Sequence, residues 1–340
     1  MRVAIAGAPG QVIWAERDLP PLGPGEVLLE PLACGICTTD VKAVRRGAAG
    51  EKAHGLGHEL VGRILSTGER SPWPLAQRVI AAPYVPCGQC RFCLSGQLTL
   101  CEHLFENSLD PGGLAERVRV PRAIAERGLF AVPDGLPSEV AALCEPVGCC
   151  VHAIEDCAVG AHDTVLIVGD GPMGLLNAAV ARAYGAAQVL VAGLTPARLQ
   201  LATHYADVAI HVGKEDLEAR VRALTSGRGA DVVLVAVSSP EAVANGLRSL
   251  RPGGVLNVFA GVPEGTMLPL DLRRLHYEQI RLTGSFGLAP GHLCRALDLL
   301  ANGRIDVAPL ITGRFPFSQV QAAVDYASQQ AGMKAVVSFG

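Results

Sequence analysis

Four cysteines fall within the fifteen residues of CGQCRFCLSGQLTLC, at Cys87, Cys90, Cys93 and Cys101. The C-x2-C-x2-C-x7-C spacing suits four thiolates closing on one tetrahedral Zn2+, a geometry with no position left for a substrate. It does not match the usual iron–sulfur spacings, C-x2-C-x2-C-x3-C and C-x4-C-x2-C. A closed site is structural, so the chemistry must be sought elsewhere. GICTTD carries Cys37, Thr39 and Asp40, and GHE carries His58 and Glu59, with twenty residues between Cys37 and His58. Much later LCEPVG places Glu145 before Pro146. A lone cysteine or a histidine in a turn is ordinary. Together, a thiolate, an imidazole and a carboxylate can hold a second zinc with an open position for water or an alcohol.

VLIVGDGPMG sets Gly169, Gly171 and Gly174 in the G-x-G-x-x-G pattern, with Pro172 and Met173 between the last two. The first glycine permits a tight turn, the second lets a pyrophosphate approach the backbone, and the third allows a helix to pack closely on a strand. The N–H groups that open the helix then face the phosphates. An NAD site usually carries an acid at the end of the next strand, on the ribose 2′-hydroxyl. In VLVAGLTPAR that place falls on Gly193, which cannot accept such a bond, while Thr195 and Arg198 follow and could hold a 2′-phosphate. NADP is therefore favoured over NAD, and Gly193→Asp is expected to shift the preference towards NAD. The competing reading makes Arg198 a solvated helix residue, with NAD bound without an acidic clamp.

The elements that must carry these residues change character near residue 150. Before it, short β-like runs such as EVLLE and ELVGRIL alternate with Gly- and Pro-containing turns, the pattern of an irregular, mainly antiparallel β domain. Then come TVLIVG, QVLVAG, DVAIHV, DVVLVAV, GVLNVFA and QIRLTGS, six buried-type strands with amphipathic segments between them. They predict an α/β, doubly wound parallel sheet over 151–285. The tail, with a helical HLCRALDLLANG and the strands GRFPF and KAVVSF, is too short to fold alone. It is expected to return and complete the first domain, as 1–150 plus 286–340, leaving the sheet as an insert. At 340 residues the chain has room for both. A net charge of −3 gives no electrostatic footprint for nucleic acid or acidic membranes. No apolar run approaches the ~20 residues of a membrane helix, and MRVAIAGAPG is broken by Gly7, Pro9 and Gly10 too early for a signal peptide. The expected address is cytoplasmic, where thiols stay reduced. Eleven cysteines, an odd number, then read as metal ligands plus a few buried thiols.

In chain order, G-x-C-x-[ST]-D, GHE, the four-cysteine lobe, the Glu-Pro element and G-x-G-x-x-G cover almost the whole sequence. That series resembles the zinc-dependent medium-chain alcohol dehydrogenases. Glu145-Pro146 and LHYEQIRLTGSF are similar to the sorbitol (polyol) and threonine dehydrogenase branch. The resemblance implies a Rossmann sheet inserted into a mainly β, GroES-like catalytic domain, with two zincs per chain. It implies Cys37, His58 and Glu59 as ligands of the catalytic zinc, and Glu145 as a further ligand or as the group that holds the zinc's water. Asp40 would orient His58. Cys144, beside Glu145, competes for the ligand role, and Cys34 is expected to be a buried thiol. Thr39 would pass the alcohol proton outward. Where relatives often carry a histidine at the outer end of that relay, this chain has Lys42, so Lys42 or water would finish it, or the proton would leave by another route. The implied activity is hydride transfer between a secondary alcohol (a polyol, sugar alcohol or cyclitol) and NAD(P), in a homodimer or homotetramer. Two further readings are an amino-alcohol dehydrogenase acting on threonine-like or aminocyclitol substrates, and a zinc- and NADPH-binding subunit without catalysis. The intact Cys37, Thr39, His58, Glu59 and Glu145 set argues against the last.

Overall fold

The computed structural model describes residues 1–19, 21–47 and 55–340. The chain divides into two compact units, Met1–Gly148 with Leu288–Gly340, and Cys149–Gly287. The first crossing, after Gly148, falls inside the helix Cys144–Asp156.

The first unit opens on a hairpin of β1 (Arg2–Ala6) and β2 (Val12–Glu16). Its main sheet uses β3 (Val27–Gly35), β4 (Glu59–Thr67), β5 (Arg78–Ala81), β6 (Val118–Val120) and β7 (Leu129–Ala131). These pair antiparallel, β3 with β4 and β6, β4 with β5, and β5 with β7. Alternate positions of β3 are buried and half-buried until its last three residues, which are all buried, so the strand drives its C-terminal end into the core.

The second unit is built on β8 (Thr164–Val168), β9 (Gln188–Gly193), β10 (Val208–His211), β11 (Ala230–Val235), β12 (Leu250–Val258) and β13 (Arg281–Gly284). The six expected strands are present, all neighbours are parallel, and the order is β10-β9-β8-β11-β12-β13. This is the doubly wound arrangement, which binds ligands beyond the carboxyl ends of the strands where the order reverses. Here that point lies between β8 and β11. Every residue of β8 and β11 is buried, as expected for strands covered on both faces. Val165, Leu166 and Ile167 are fully enclosed, each contributing about 1.5–3 kcal/mol of transfer free energy.

The chain then returns as the helix Pro290–Ala301, β14 (Ile311–Pro316) and β15 (Lys334–Ser338). β15 adds antiparallel to β3, pairing Val336 with Gly35 and Val337 with Cys34. The tail thus completes the first unit's sheet, and Val320, Ala323 and Val337 share one core cluster with Ala4, Cys34 and Leu114.

Candidate active site

Strand pairing closes the gap between the scattered polar residues. Gly35, the last residue of β3, lies opposite Glu59, the first of β4. Cys37 follows just past the end of β3, at the cap of the helix Thr38–Arg46, and His58 immediately precedes β4. Ligand atoms of Cys37, His58 and Glu59 all lie within 4.8 Å of one another. Asp40 locks the arrangement from beneath. It is buried, its Oδ2 accepts from the Cys37 N–H (2.9 Å), its Oδ1 accepts from the Gly57 N–H (2.9 Å), and Oδ1 stands 3.8 Å from His58 Nδ1. Burial alone would pull the His58 pKa down. Asp40 foremost, together with Cys37 and Glu145, outweighs that burial and holds the imidazole well above its usual value.

Glu59 is fully enclosed. Its Oε1 accepts from Lys334 Nζ at 2.6 Å, and the same ammonium donates to the Ile36 carbonyl at 3.0 Å. Its Oε2 is buried with no hydrogen-bond partner. Gly35 makes room for this carboxylate, since a Cβ there would collide with Oε2. An orphaned, sealed carboxylate oxygen beside a thiol and an imidazole fits a cation that would satisfy it. Lys334, the first residue of β15, is the member that sequence reasoning missed. Its one signal was a charge opening a buried strand. Burial works to lower the Lys334 pKa, but Glu59 foremost, then Cys37 and Glu145, hold it above the ordinary lysine value.

Thr39 is exposed, with Oγ1 3.7 Å from Cys37 Sγ, and Lys42 is exposed further along the same helix. Glu145, buried in the first turn of Cys144–Asp156, is not in the tight Cys37–His58–Glu59 group, though its charge acts on both His58 and Lys334. Cys144 is buried and also outside that group, and desolvation raises its thiol pKa far above normal, the reverse of what a thiolate ligand needs. Cys34 is fully buried, its thiol likewise raised by desolvation.

The other cysteine group closes on itself. Cys87 and Cys93 sulfurs are 3.9 Å apart, Cys90 and Cys93 3.5 Å, and Cys90 and Cys101 3.9 Å. Sulfurs about 2.3 Å from a common zinc sit about 3.8 Å from one another. Backbone N–H groups turn towards the sulfurs, from Cys87 to Cys101 (3.2 Å) and from Cys90 to Cys87 (3.3 Å). Backbone donors bring the Cys90 pKa down to about 6, whereas desolvation pushes Cys93 up to about 12. Of residues 87–107, only Cys101 and Leu104 are buried, while Leu94, Leu100 and Phe105 are exposed. A lobe with so little core would gain order from a metal held by its four thiols.

In the second unit, Gly169 follows β8 with φ +129°, a conformation in which a side chain is strained. Nothing stands within 4 Å of where a Gly171 Cβ would be, and a Cβ on Gly174 would run into the Gly169 carbonyl. The helix Pro172–Ala183 starts immediately after Gly171 and includes Met173. Open space before the second glycine and close packing at the third fit a bound pyrophosphate. Gly193 ends β9, and Thr195 caps the helix Pro196–Ala202, which carries the half-buried Arg198. The end of β9 holds something the sequence reading did not foresee. A Cβ on Gly193 would lie 2.5 Å from the Cγ and Oδ2 of Asp170. A side chain at residue 193 would therefore meet the Asp170 carboxyl, where the sequence reading expected room for an acidic clamp.

A mainly antiparallel unit with two groups of zinc-type donors, joined to a doubly wound unit with a dinucleotide loop, defines a zinc-binding, nicotinamide-linked oxidoreductase. The chain belongs to the zinc-binding alcohol dehydrogenase family: residues 23–134 match the alcohol dehydrogenase GroES-like domain and residues 172–302 the zinc-binding dehydrogenase domain. It is 32% identical to L-galactonate-5-dehydrogenase of Escherichia coli K12, over 100% of this chain and 99% of that one. It is 31% identical to sorbitol dehydrogenase of Bacillus subtilis, over 97% and 94%. A zinc-binding dehydrogenase from Sinorhizobium meliloti, solved bound to NADP, superposes with TM-score 0.90 at 27% identity, covering 99% of this chain and 98% of that one. Among the described residues, no helix is long and apolar enough to cross a membrane.

Proposed function

We propose that this chain interconverts a polyol, sugar alcohol or cyclitol and the matching ketone, removing hydride to NAD(P) and a proton to solvent. The observation that carries the reading is the convergence of Cys37, His58 and Glu59 within 4.8 Å from two separate segments, in a chain similar to galactonate and sorbitol dehydrogenases. These three residues would hold the catalytic zinc, with Glu145 beside them as a further ligand or as acceptor for a hydroxyl at the remaining position. Cys87, Cys90, Cys93 and Cys101 would hold the structural one. Zinc bound at the first site supplies Lewis acidity that brings an alcohol hydroxyl towards ionisation at neutral pH.

The chain's own residues do the rest. Asp40 fixes the Cys37 backbone and the segment bearing His58, so the donor set is pre-arranged. Lys334 balances the buried Glu59 charge. The exposed Thr39 hydroxyl takes the substrate proton and passes it outward to Lys42 or water. Gly169, Gly171, Pro172, Met173 and Gly174 receive the pyrophosphate. Gly193, Thr195 and Arg198 lie at the adenosine end, where the lack of an acid on β9 supports NADP and the Asp170 carboxylate supports NAD. The second observation weighs more, because it places a charge where the first only notes a missing one.

Eleven cysteines with no disulfide among them suit a reducing, cytoplasmic address. The edge strand β13 exposes Leu282, which supports assembly into a homodimer or homotetramer through that edge. The test is nicotinamide absorbance with a panel of polyols, cyclitols and amino alcohols, using both cofactors. Turnover of a polyol or cyclitol supports the reading. Turnover confined to amino alcohols, or none after zinc loading, overturns it.

A further inference from the structure

We propose that Asp170, carried by the glycine-rich loop after β8, is the acid that reads the adenosine ribose, and that it makes NAD the preferred cofactor. The proposal rests on the dinucleotide site described above. The acid that usually performs this task stands at the end of the second strand of the unit, which here is Gly193. The Asp170 carboxyl occupies the space that a side chain at residue 193 would enter, so the charge arrives at the same strand end from the neighbouring loop.

The hydrogen bonds of Asp170 divide cleanly. Oδ2 accepts from the Leu194 N–H at 2.9 Å and from the Thr195 N–H at 2.7 Å. Asp170 is only 8% exposed. Its Oδ1 accepts nothing from the described residues and is not among the side-chain oxygens sealed from solvent. One oxygen thus pins the carboxylate to β9, and the other is left to accept a bond from outside.

The two cofactors present different chemistry at this point. The ribose of NAD offers a 2′-hydroxyl, which donates to a carboxylate in a charge-assisted bond. NADP offers a 2′-phosphate, which has no proton to give and needs N–H donors or cations. The two backbone donors at the end of β9, on Leu194 and Thr195, are already taken by Asp170. The phosphate would also meet a carboxylate in a largely enclosed place, where like charges repel most strongly. Asp170 therefore acts twice, adding a bond for NAD and occupying two backbone donors that a 2′-phosphate could use.

The experiment is direct binding of NADH and NADPH to the zinc-loaded full chain, by fluorescence titration or calorimetry. The wild type is expected to bind NADH at least about tenfold more tightly, the size of one charge-assisted bond. Asp170→Asn keeps an oxygen for the two N–H groups but removes the charge, and Asp170→Ala frees both donors. Each should weaken NADH and tighten NADPH, lowering the ratio at least about tenfold. A capping role alone would lower both affinities together, which would overturn the proposal, as would a wild type that binds NADPH equally or better. If both variants fail to fold, the wild-type ratio alone decides. If neither dinucleotide binds the wild type, the cofactor site itself is refuted, a result distinct from a bound pair without the expected ratio.

Discussion

Lys334→Met removes the one cation that, among the described residues, is paired with Glu59. Methionine keeps the length and apolar stem of the side chain, so the change is chiefly one of charge. Lys334 is 4% exposed, Glu59 is fully buried, and their atoms meet at 2.6 Å. Without the ammonium, Glu59 Oε1 loses its donor while Oε2 already has none. Removing one partner of such a pair costs about 3–5 kcal/mol, because an uncompensated charge stays buried. The cost should be largest in metal-stripped protein. It should fall by about 1 kcal/mol or more on zinc loading, where a second cation faces the carboxylate. The Lys334 pKa is raised above its unfolded value. Its contribution is therefore fully present below the ordinary lysine pKa and lost only as pH rises through the higher folded value. The difference between wild type and variant should then be flat across neutral pH. Denaturant unfolding of both proteins, with and without zinc, reads all three effects. A cost below about 1 kcal/mol in the metal-stripped form, or one that zinc leaves unchanged, would refute the reasoning.

Gly193→Asp should destabilise the protein by about 1–3 kcal/mol through the clash with Asp170 and two carboxylates forced together; thermal melting checks it, and an unchanged melt with tighter NADH binding contradicts it. Cys90→Ser should lose one zinc and loosen residues 87–107, seen as new proteolytic cleavage there, because that lobe buries so little. Zinc affinity of the Cys37–His58–Glu59 group should rise with pH through neutrality. The metal-free His58 holds its proton above the usual range and must release it to bind. Calorimetry in buffers of different ionisation enthalpy counts the protons, and pH-independent binding contradicts the assignment.

Much of this was legible in the sequence, for identifiable reasons. β8 and β11 are buried on both faces, so they appear as unbroken apolar runs. The four-cysteine lobe is local, and its spacing alone carries its geometry. The open site is different, because Cys37 and His58 share no spacing and meet only through the Gly35–Glu59 pairing of β3 with β4. Lys334 was out of reach, lying 275 residues from its partner and brought in by the return strand β15. Asp170 was hidden for another reason. The sequence rule looks for an acid on β9, and the fold supplies one from the loop beside it.

Metal content tests the central claim most directly. Analysis of the purified chain, its Cys37→Ser variant and its Cys90→Ser variant should give two zincs for the first and one for each of the others, since the two donor groups share no residue. Cys37→Ser should stay folded while losing alcohol-dependent reduction of the nicotinamide. A wild type with a single zinc that Cys37→Ser leaves in place would contradict the account, removing the catalytic metal from Cys37, His58 and Glu59.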